Sequence, residues 1–366
     1  MGRVGGATTK IVFALLPLSC FVTTDGNLWR DIAAGVDGSQ AQSPERRAPA
    51  GDAVGLLLDG TPLADGAPRP PDPATDAQAG PFACTSLAPL PLKTAGGLYA
   101  VWALSPAEVW VVGESGTTWR GAAAGWTSIP TPTTMELRGV WGSSAGAVWA
   151  VGKVGTILSF NGGKWTSVAS GAGKTHIYAV WGSSDQDIWA AGSKGTILHF
   201  NGKSWSGVAS PVTSTLYGLW GSGPADVWAV GASGTVLHHD GAKWSAVYTP
   251  TKRALRAVWG SSSQDVWAAG DHDDNHYDYP LALHFDGKAW KQVKLGFKGS
   301  LLGLWAGSGG EVWAAGYGRW GEGLLYHHDG SKWHDRSPGG QALWAVRGAS
   351  GKVWAVGESG AAWGCP

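Results

Sequence analysis

A stretch at positions 271–280, DHDDNHYDYP, places several metal-binding side chains close together along the chain. Asp271, Asp273 and Asn275 alternate with other residues, and this spacing lets successive oxygen atoms wrap a calcium ion. Asp278 is a further carboxylate that could complete the ligand set. The stretch therefore makes calcium a candidate ligand of Asp271, Asp273, Asn275 and Asp278.

The same stretch departs from a calcium-binding loop in two places. His276 stands where such loops have glycine, and Ala282 stands where they have a bidentate acid. His272 and His276 suggest a transition metal instead, because imidazole is a good ligand for those ions. Short spacing matches also arise by chance, so a solvated acidic loop without metal is the third interpretation.

A second stretch, YGRWGE at positions 317–322, combines aromatic and charged side chains. Tryptophan, tyrosine and arginine are enriched among the residues that dominate binding energy in protein interfaces. We therefore expect a ligand or partner site here, with Trp320 and Arg319 as its main contacts. The candidate binding residues of the two stretches are Tyr279, Tyr317, Arg319, Trp320 and Glu322.

Both stretches are insertions in a repeat that fills most of the chain. The unit at 137–168 reads LRGVWGSSAGAVWAVGKVGTILSFNGGKWTSV, and a period of ~40 residues is typical of propeller blades or solenoids. No helical periodicity separates the copies. Seven copies are legible, each beginning at an aliphatic residue: Leu98, Leu137, Ile177, Leu216, Leu255, Leu301 and Leu343.

Each unit contains four short apolar runs separated by glycine, serine and asparagine, which indicates four strands. The third and fourth runs are joined by pairs such as Asn161-Gly162 and Asp240-Gly241, which suit a tight hairpin. The sequence thus predicts an all-β fold, a seven-bladed β-propeller of four-stranded blades. In the second unit the predicted strands are Leu137–Trp141, Val148–Val151, Thr156–Phe160 and Lys164–Val168.

Tryptophan accounts for the packing between units. Most units carry three of the 24 tryptophans, at the same three positions of the repeat. Sugar stacking is one explanation for so many indoles, but a position that every blade repeats serves the repeat first. We therefore assign roughly nine in ten of them to the core between blades, where each buries on the order of 150–250 Å².

In such blades the connections fall on two faces. The constant face holds the first-to-second and third-to-fourth connections, here the Gly-Ser-Ser loops and the Asn/Asp-Gly turns. The variable face holds the second-to-third connections and those between blades, including both insertions. Because these connections differ from blade to blade, a ligand or partner site is expected there.

The residue after each aliphatic marker also belongs to the variable face, near the mouth of the axial channel. Aromatic and cationic side chains there are a common ligand-contact set, although packing between the inner strands is the alternative. Around the ring these residues are Tyr99, Arg138, Tyr178, Tyr217, Arg256, Leu302 and Trp344, and all except Leu302 are candidate contacts.

Residues 1–20 have the layout of a secretory signal, with Arg3 and Lys10 before a short apolar run. The end of this run resembles a bacterial lipoprotein signal, which implies lipidation of Cys20. Pro17 departs from that family's pattern, so a simply cleaved signal peptide is the alternative. Residues 21–83 are rich in Ala, Gly, Pro and Asp, and we predict a disordered linker.

The seventh unit lacks a fourth strand, and the repeat frame predicts that residues 84–90 supply it and close the ring, making 84–366 the propeller domain. The two cysteines that remain after Cys20 fall on the strands that closure would place side by side. We therefore predict a Cys84–Cys365 disulfide, which an oxidising extracytoplasmic compartment permits. Two unrelated thiols are the alternative.

The hairpin at 159–165, SFNGGKW, is similar to the S-x-D-x-G-x-x-W hairpin of Asp-box propellers, although it is one residue shorter. Over about residues 84–366 the repeat resembles secreted bacterial β-propellers with tectonin-like or Asp-box repeats. The resemblance implies the architecture, and the tectonin likeness implies glycan binding. No motif matches the catalytic residues of Asp-box sialidases, so none is carried over. Later copies replace Ser159 by histidines that we interpret as structural: His199, His238, His284 and His327.

Composition narrows the function classes. Lys plus Arg and Asp plus Glu number 27 each, so the chain lacks the basic field that nucleic-acid binding requires. The first hypothesis is a non-enzymatic, exported and lipid-anchored propeller, expected to be monomeric, that binds a glycan or a protein. The second is an exported hydrolase or lyase with its site in the loops of blades 5 and 6. An acid or histidine with a strongly perturbed pKa in a closed cleft would favour the second.

Overall fold

The computed structural model describes Cys84, residues 86–272 and residues 279–365. Within this part of the chain, seven four-stranded antiparallel sheets follow one another, each with its strands in simple up-and-down order. The innermost strands of neighbouring sheets lie side by side around the whole ring, and the first sheet contacts the seventh. The seven-bladed propeller predicted from the repeat is confirmed.

The first four blades each take their strands consecutively from the chain. Their strands, from the axis outward, are β2 (Leu98–Ser105), β3 (Glu108–Gly113), β4 (Thr118–Ala122) and β5 (Gly125–Ser128) in blade 1; β6 (Leu137–Ser144), β7 (Ala147–Gly152), β8 (Ile157–Phe160) and β9 (Trp165–Ser167) in blade 2; β10 (Ile177–Ser184), β11 (Asp187–Gly192), β12 (Ile197–Phe200) and β13 (Trp205–Val208) in blade 3; and β14 (Leu216–Gly223), β15 (Asp226–Gly231), β16 (Val236–His239) and β17 (Trp244–Ala246) in blade 4.

Blades 5 and 6 follow the same order, and blade 7 takes its outermost strand from the opposite end of the propeller. The strands are β18 (Leu255–Ser262), β19 (Asp265–Gly270), β20 (Leu281–Phe285) and β21 (Trp290–Gln292) in blade 5; β22 (Ser300–Ala306), β23 (Glu311–Tyr317), β24 (Gly323–Asp329) and β25 (Trp333–Asp335) in blade 6; and β26 (Leu343–Ala349), β27 (Lys352–Gly357), β28 (Ala362–Gly364) and β1 (Ala88–Pro89) in blade 7.

Six single 3-10 turns complete the described secondary structure. Five of them join the second strand of a blade to the third, and Ser308–Gly310 joins the first to the second. The five are Glu114–Gly116, Lys153–Gly155, Ser193–Gly195, Ala232–Gly234 and Glu358–Gly360.

The first strand of the blade is longer than the sequence predicts. We expected a loop at Gly142-Ser143-Ser144, but β6 continues to Ser144 and pairs there with Ala147. A β-bulge between Gly142 and Ser144 absorbs one residue, so pairing continues past the glycine. The turn itself is shorter than expected.

Tryptophans fill the spaces between blades, as predicted. The indole of Trp149 on β7 packs edge-on against Trp205 of the next blade, with ring centroids 5.5 Å apart. Trp110 meets Trp165 in the same way at 5.4 Å. Because the fourth-strand indole of each of blades 2 to 6 packs against the second-strand indole of the preceding blade, the tryptophan core is continuous from blade 1 to blade 6.

The centre of the ring is filled with side chains at the level of a second tryptophan set. Trp102 of blade 1 and Trp259 of blade 5 approach to 6.1 Å between ring centroids, across the axis. Blade 7 has Arg347 where the other blades have tryptophan, and its guanidinium carbon lies 4.0 Å from the ring centres of Trp102 and Trp259. Arg347 is only 3% exposed. The axis is therefore closed at this depth by a cation held between two indoles.

Ring closure depends on a short pairing near the disulfide. Ala88 pairs with Gly364 and Pro89 with Trp363, so the closing strand occupies only part of the predicted range 84–90. The Cys84–Cys365 disulfide is present, with the two Cα atoms 5.7 Å apart. The signal and linker predicted for residues 1–83, including Cys20, lie outside the described residues.

Candidate functional site

The variable face is one continuous surface because its connections are hydrogen-bonded to each other. In blade 2, the Lys153 amide donates to the Glu136 carbonyl at 2.9 Å, which ties the 3-10 turn to the connection before the blade. The Gly155 amide donates to the Thr175 carbonyl at 2.7 Å, which ties it to the connection after the blade. The turns are thus held between neighbouring connections.

A β-bulge near the start of each first strand determines which side chains reach the mouth of the ring. Leu137 pairs with Gly152 and Gly139 with Val151, so Arg138 is the extra residue between them. The same shift occurs in all seven blades, and a bulge redirects the side chain that it carries. The bulged residues form what we call the bulge ring, and all are half-buried: Tyr99, Arg138, Tyr178, Tyr217, Arg256, Leu302 and Trp344.

Members of the bulge ring from blades 7, 1 and 2 contact each other. Trp344 stacks on Tyr99 with ring centroids 4.7 Å apart and planes within 11°. The guanidinium carbon of Arg138 lies 3.7 Å from the centre of Tyr99. Glu136 binds Arg138 and also accepts from Lys153 Nζ at 2.9 Å. The arrangement is a partly exposed aromatic platform with a fixed charge pair beside it.

A second group forms in blades 3 to 5. The rings of Tyr178 and Tyr217 lie 5.5 Å apart, and the Arg256 guanidinium carbon is 4.4 Å from the centre of Tyr217. Arg256 donates to both oxygens of Asp271, at 2.8 and 2.6 Å. Burial would lower the pKa of Arg256, but the Asp271 carboxylate outweighs it and raises that pKa. Burial also raises the pKa of Tyr217, so its phenol stays neutral at physiological pH.

The two insertions meet at their bases. The His272 amide donates to Ser300 Oγ at 3.0 Å, and His272 Nδ1 lies 2.6 Å from the same oxygen. Ser300 pairs with Tyr317 in the blade 6 ladder. The side chain of Tyr279, at the other end of the blade 5 insertion, is 60% exposed. Residues 273–278 lie outside the described part of the chain, so the meeting of the two loop tips stays a prediction.

Trp320 projects into solvent. It is 84% exposed, whereas the other tryptophans that the structure describes are buried or half-buried. The Arg319 guanidinium carbon lies 5.2 Å from the Trp320 ring centre. The Glu322 carboxylate accepts from the Trp320 amide at 2.8 Å, which fixes the turn. Trp320 and Arg319 are thus presented outward by a braced loop, and their binding role remains a prediction.

The predicted calcium ligands are only partly described. Asp271 uses both carboxylate oxygens on Arg256. Asp273, Asn275 and Asp278 lie outside the described residues. Within the described ranges, no three His, Cys, Asp or Glu side chains are grouped closely enough to hold a metal ion. Calcium binding therefore stays a prediction.

The constant face carries a largely half-buried polar set that repeats in blades 3 to 6. In blade 4, His238 Nε2 lies 2.6 Å from Asp226, whose other oxygen accepts from Ser222 at 2.5 Å. The Trp228 indole N–H donates to Asp226 at 3.0 Å, and the His238 ring lies 4.2 Å from the indole. Equivalent histidine–carboxylate pairs are His199–Asp187, His284–Asp265 and His327–Glu311.

These Ser, Asp and His side chains do not form a nucleophilic triad. The aspartate lies between the serine and the histidine, so the histidine is not hydrogen-bonded to the serine hydroxyl as it is in a triad. Burial would raise the pKa of Asp226, but its bonds to His238, Ser222 and Trp228 outweigh burial and lower that pKa. His284 and Ser261 likewise lower the pKa of Asp265. The structure agrees with the interpretation of the recurring histidines as structural.

The described surface includes two open hollows that could hold a small ligand. The first, of about 440 Å³, lies between the closing segment and blade 6 and is lined by Cys84, Trp313 and Arg336 among others. The second, of about 320 Å³, lies beside the blade 1 turn on the variable face. Asp226 and Asp265, two of the carboxylates with lowered pKa values, line neither hollow.

Three exposed apolar side chains on the variable face were missed by the sequence reasoning. Met135 is 40%, Val154 42% and Tyr248 85% exposed. Val154 also has a φ of 55°, in a turn position where other blades have serine or lysine. A valine at the tip of a turn was a visible signal, since a β-branched residue is a strong outlier at positive φ. Arg347 could have been found too, because it replaces a tryptophan of the repeat.

In the described part of the chain, no helix has the length and apolar character needed to cross a bilayer. No protein-family model matches the sequence. No curated protein matches it either.

Solved structures do resemble the chain. YCF48 from Cyanidioschyzon merolae aligns with a TM-score of 0.62 and 17% identity over 76% of this chain and 98% of its own. YCF48 bound to D1 peptide aligns at 0.60 and 15%, over 76% and 94%. The WD40 β-propeller domain of Doa1 aligns at 0.61 and 14%, also over 76% and 94%. At these identities the similarity shows the fold, a seven-bladed β-propeller with WD40-like neighbours.

Proposed function

We propose that this chain is a non-enzymatic interaction module that binds a protein partner on its variable face. The observation that carries the proposal is the position of the exposed large apolar side chains. All five in the described residues lie in variable-face connections: Met135, Val154, Tyr248, Tyr279 and Trp320.

Chance alone would spread such side chains over both faces. Exposed apolar surface rimmed by polar groups marks interaction sites, and a partner would cover it. Trp320 with Arg319 beside it, and the aromatic members of the bulge ring, are the residue types that anchor protein interfaces. One structural neighbour, YCF48, is described as bound to a peptide, which supports a protein as the partner.

Asp226 and Asp265 on the constant face are not candidates for a general acid. A general acid needs a raised pKa, whereas the pKa values of Asp226 and Asp265 are lowered by their hydrogen bonds. Both side chains are also committed to histidine partners on the opposite face. An exported hydrolase or lyase with its site in the blade 5 and 6 loops is the alternative function, and these two carboxylates of the constant face neither support nor oppose it.

The test uses a photo-crosslinking amino acid in the full-length protein at position 320, and at position 203 on the constant face as control. In extract of the source cells, we expect a discrete protein adduct from position 320 and none from position 203. Equal labelling from both positions would contradict the proposal.

A double variant then measures how much the two side chains contribute to the binding free energy. We expect Trp320→Ala with Arg319→Ala to weaken binding of the crosslinked partner by about 30-fold, or about 2 kcal/mol, without lowering the melting temperature. Lys203→Ala with Lys288→Ala, two exposed constant-face residues, is the matched control. If both double variants bind the partner with unchanged affinity, Trp320 and Arg319 are not the main contacts, and substitutions in the bulge ring are the next test.

We further propose glycans as a second class of ligand, supported by the exposed rings of Trp320 and Tyr279 on one face. A glycan array probed with and without calcium tests the glycan and the predicted ion together. Binding that is lost with the chelator and with Asp273→Asn would support both. If no glycan binds with or without calcium, glycan binding is excluded and the proposed protein-binding function stands alone.

Export and lipid anchoring through Cys20 are also part of the proposal. The signal-like sequence of residues 1–20 supports them, and so does a disulfide, which an oxidising compartment favours. Cys20→Ala should move the protein from the membrane fraction to a soluble fraction in the source cells. An unchanged membrane fraction would contradict lipidation.

A further inference from the structure

We infer that the protein partner contacts the variable face through an acidic polypeptide segment, held by a basic arc on blades 2 to 5. This inference rests on the proposed protein-binding function and specifies the chemistry of the partner. The basic arc consists of Lys153, Lys174, Lys194, Lys252 and Arg253.

The arc is continuous because its connections contact each other in order. Val154, beside Lys153, donates its amide to His176 Nδ1 at 3.0 Å, which joins the blade 2 turn to the connection holding Lys174. The Ser193 amide, beside Lys194, donates to the His176 carbonyl at 2.9 Å. The same connection thus bridges the turns of blades 2 and 3.

The far half of the arc is joined in the same way. The Ala232 amide of the blade 4 turn donates to the Thr215 carbonyl at 2.9 Å. On its other side, Thr249 Oγ1 donates to the Gly234 carbonyl at 2.8 Å, which brings in the connection holding Lys252 and Arg253. Between the two halves, Gly195 of the blade 3 turn lies against the Val212 carbonyl in the connection before blade 4, so the cations lie along one rim of contacting connections.

The arc has a surplus of positive charge that its own neighbours do not cancel. In these connections, from Met135 to His272, the only described carboxylates are Glu136 and Asp271. Glu136 is bound by Arg138 and Lys153, and Asp271 by Arg256. The side chains of Lys174, Lys194 and Lys252 are exposed. Clustered like charges raise the local concentration of an oppositely charged partner and its association rate.

The constant face differs although its lysines are as exposed. There the hairpin turns of blades 4, 5 and 6 bring their own acids, Asp240, Asp286 and Asp329, and Lys291 Nζ lies 2.5 Å from Asp286. Asp240, in the turn that carries Lys243, accepts backbone hydrogen bonds that lower its pKa and keep it ionised. Charges on that face are therefore interspersed, whereas those of the arc share one sign.

Apolar side chains within the arc favour a polypeptide over other polyanions. Val154 and Tyr248 are exposed at the blade 2 turn and in the connection of Lys252. An acidic segment with apolar residues between its carboxylates would cover both, whereas nucleic acid or a sulfated glycan would leave them in water. The chain as a whole is neutral, so it lacks the general basic field of a polyanion binder.

The experiment uses the full-length protein and a fluorescein-labelled peptide of about 20 residues that alternates Glu with Leu and Phe. We expect saturable binding by fluorescence anisotropy below about 100 μM, weakened about tenfold between 50 and 300 mM salt. The triple variant Lys174→Glu, Lys194→Glu, Lys252→Glu should bind at least about tenfold more weakly.

The matched control is Lys203→Glu, Lys243→Glu, Lys332→Glu, which changes the charge equally in three exposed hairpin turns of the constant face. It should bind within about twofold of the unmodified protein, and both triples should keep their melting temperature. An equal loss of peptide affinity in both triple variants would show an effect of net charge alone and would overturn the inference. Absence of peptide binding, or tighter binding of heparin or of vesicles rich in phosphatidylserine, would overturn it too.

A competing occupant is the acidic stretch of this chain's own blade 5 insertion, with Asp273, Asp274 and Asp278. If that segment fills the arc, changing all three to Asn should raise peptide affinity at least about tenfold, and the inference would fall. A crosslinked partner without an acidic segment would overturn the acidic chemistry yet leave the proposed protein-binding function standing.

Discussion

The two faces of this propeller are built from the same repeat but use their polar and apolar residues in opposite ways. On the constant face, acids such as Asp226 are enclosed by histidine, serine and tryptophan of their own blade. On the variable face, cations such as Lys174 and apolar side chains such as Trp320 point into solvent. On one face the polar groups are bonded within their own blade, and on the other the cations and apolar side chains are exposed.

The difference shows how a repeat separates stability from recognition. A contact repeated in several blades stabilises each blade, so substitutions there should cost folding free energy. A residue present in one blade only, such as Trp320 or Val154, is not required by the repeat, so substitutions there should change binding with little loss of stability.

The largest effect is expected where both faces depend on the same structure, at ring closure. Replacing Cys84 and Cys365 by Ser removes a bond across 281 residues, and we expect a loss of about 2–5 kcal/mol of unfolding free energy. Denaturant unfolding measures it. Below the melting temperature, the variant should bind the partner with unchanged affinity. An unchanged denaturant concentration at the unfolding midpoint would show that the short β1 pairing closes the ring without the disulfide.

The next effect belongs to the constant face. Asp226→Ala leaves His238, Ser222 and Trp228 without their acceptor, so we expect a loss of about 1–3 kcal/mol in stability. Blade 2 naturally has Ala147 and Ser159 at the positions of Asp226 and His238. Asp226→Ala with His238→Ser should therefore recover part of the loss. Partner binding that falls with Asp226→Ala in folded protein would break the separation of the faces.

A pH effect follows from the same carboxylates. The pKa values of Asp226 and Asp265 are lower in the folded protein than the usual 3.8. Their stabilisation is therefore fully present above the unfolded pKa of about 4 and is lost as pH falls through the lower folded pKa. Unfolding free energy measured between pH 5 and 2 should fall less steeply in Asp226→Asn with Asp265→Asn. Identical slopes would contradict the assignment.

The smallest effect concerns one residue of the variable face. Val154 has a φ of 55°, where other blades have Ser115, Ser233 and Ser359. Because a β-branched residue is strained in this region, Val154→Ser should raise stability by about 0.5–1 kcal/mol. The same change should weaken partner binding if Val154 is a contact. A lower melting temperature would show that Val154 stabilises the fold instead.

The fold could be predicted because each blade repeats the same information. The aliphatic marker recurs in all seven copies, and the tryptophans and the Asn/Asp-Gly hairpins recur in most of them, so an error at one copy is corrected by the others. The missing fourth strand of the seventh unit, together with Cys84 and Cys365, indicated that residues 84–90 close the ring. The ends of the strands were predicted less accurately. At Ser144 a β-bulge lets strand pairing continue through a Gly-Ser-Ser segment whose composition is typical of a loop.

The candidate site was predictable only where it breaks the pattern. Trp320 and Arg319 stood out because they lie in an insertion. The contacts within the bulge ring could not be derived, since they depend on how neighbouring blades are rotated relative to each other. The stack of Trp344 on Tyr99 joins residues that are 245 positions apart in the chain. The basic arc is similarly spread over four blades, so no local motif reveals it.

The closing strand has a consequence for the order of events during synthesis. The partners of Ala88 and Pro89 are Trp363 and Gly364, so blade 7 cannot be completed until almost the whole propeller has been made. Six blades can form one after another from local hairpins, whereas the last pairing joins distant segments and must wait. Until then β28 has an exposed edge, which is open to pairing with another chain. A nascent propeller of this kind would need protection for as long as its ring is open.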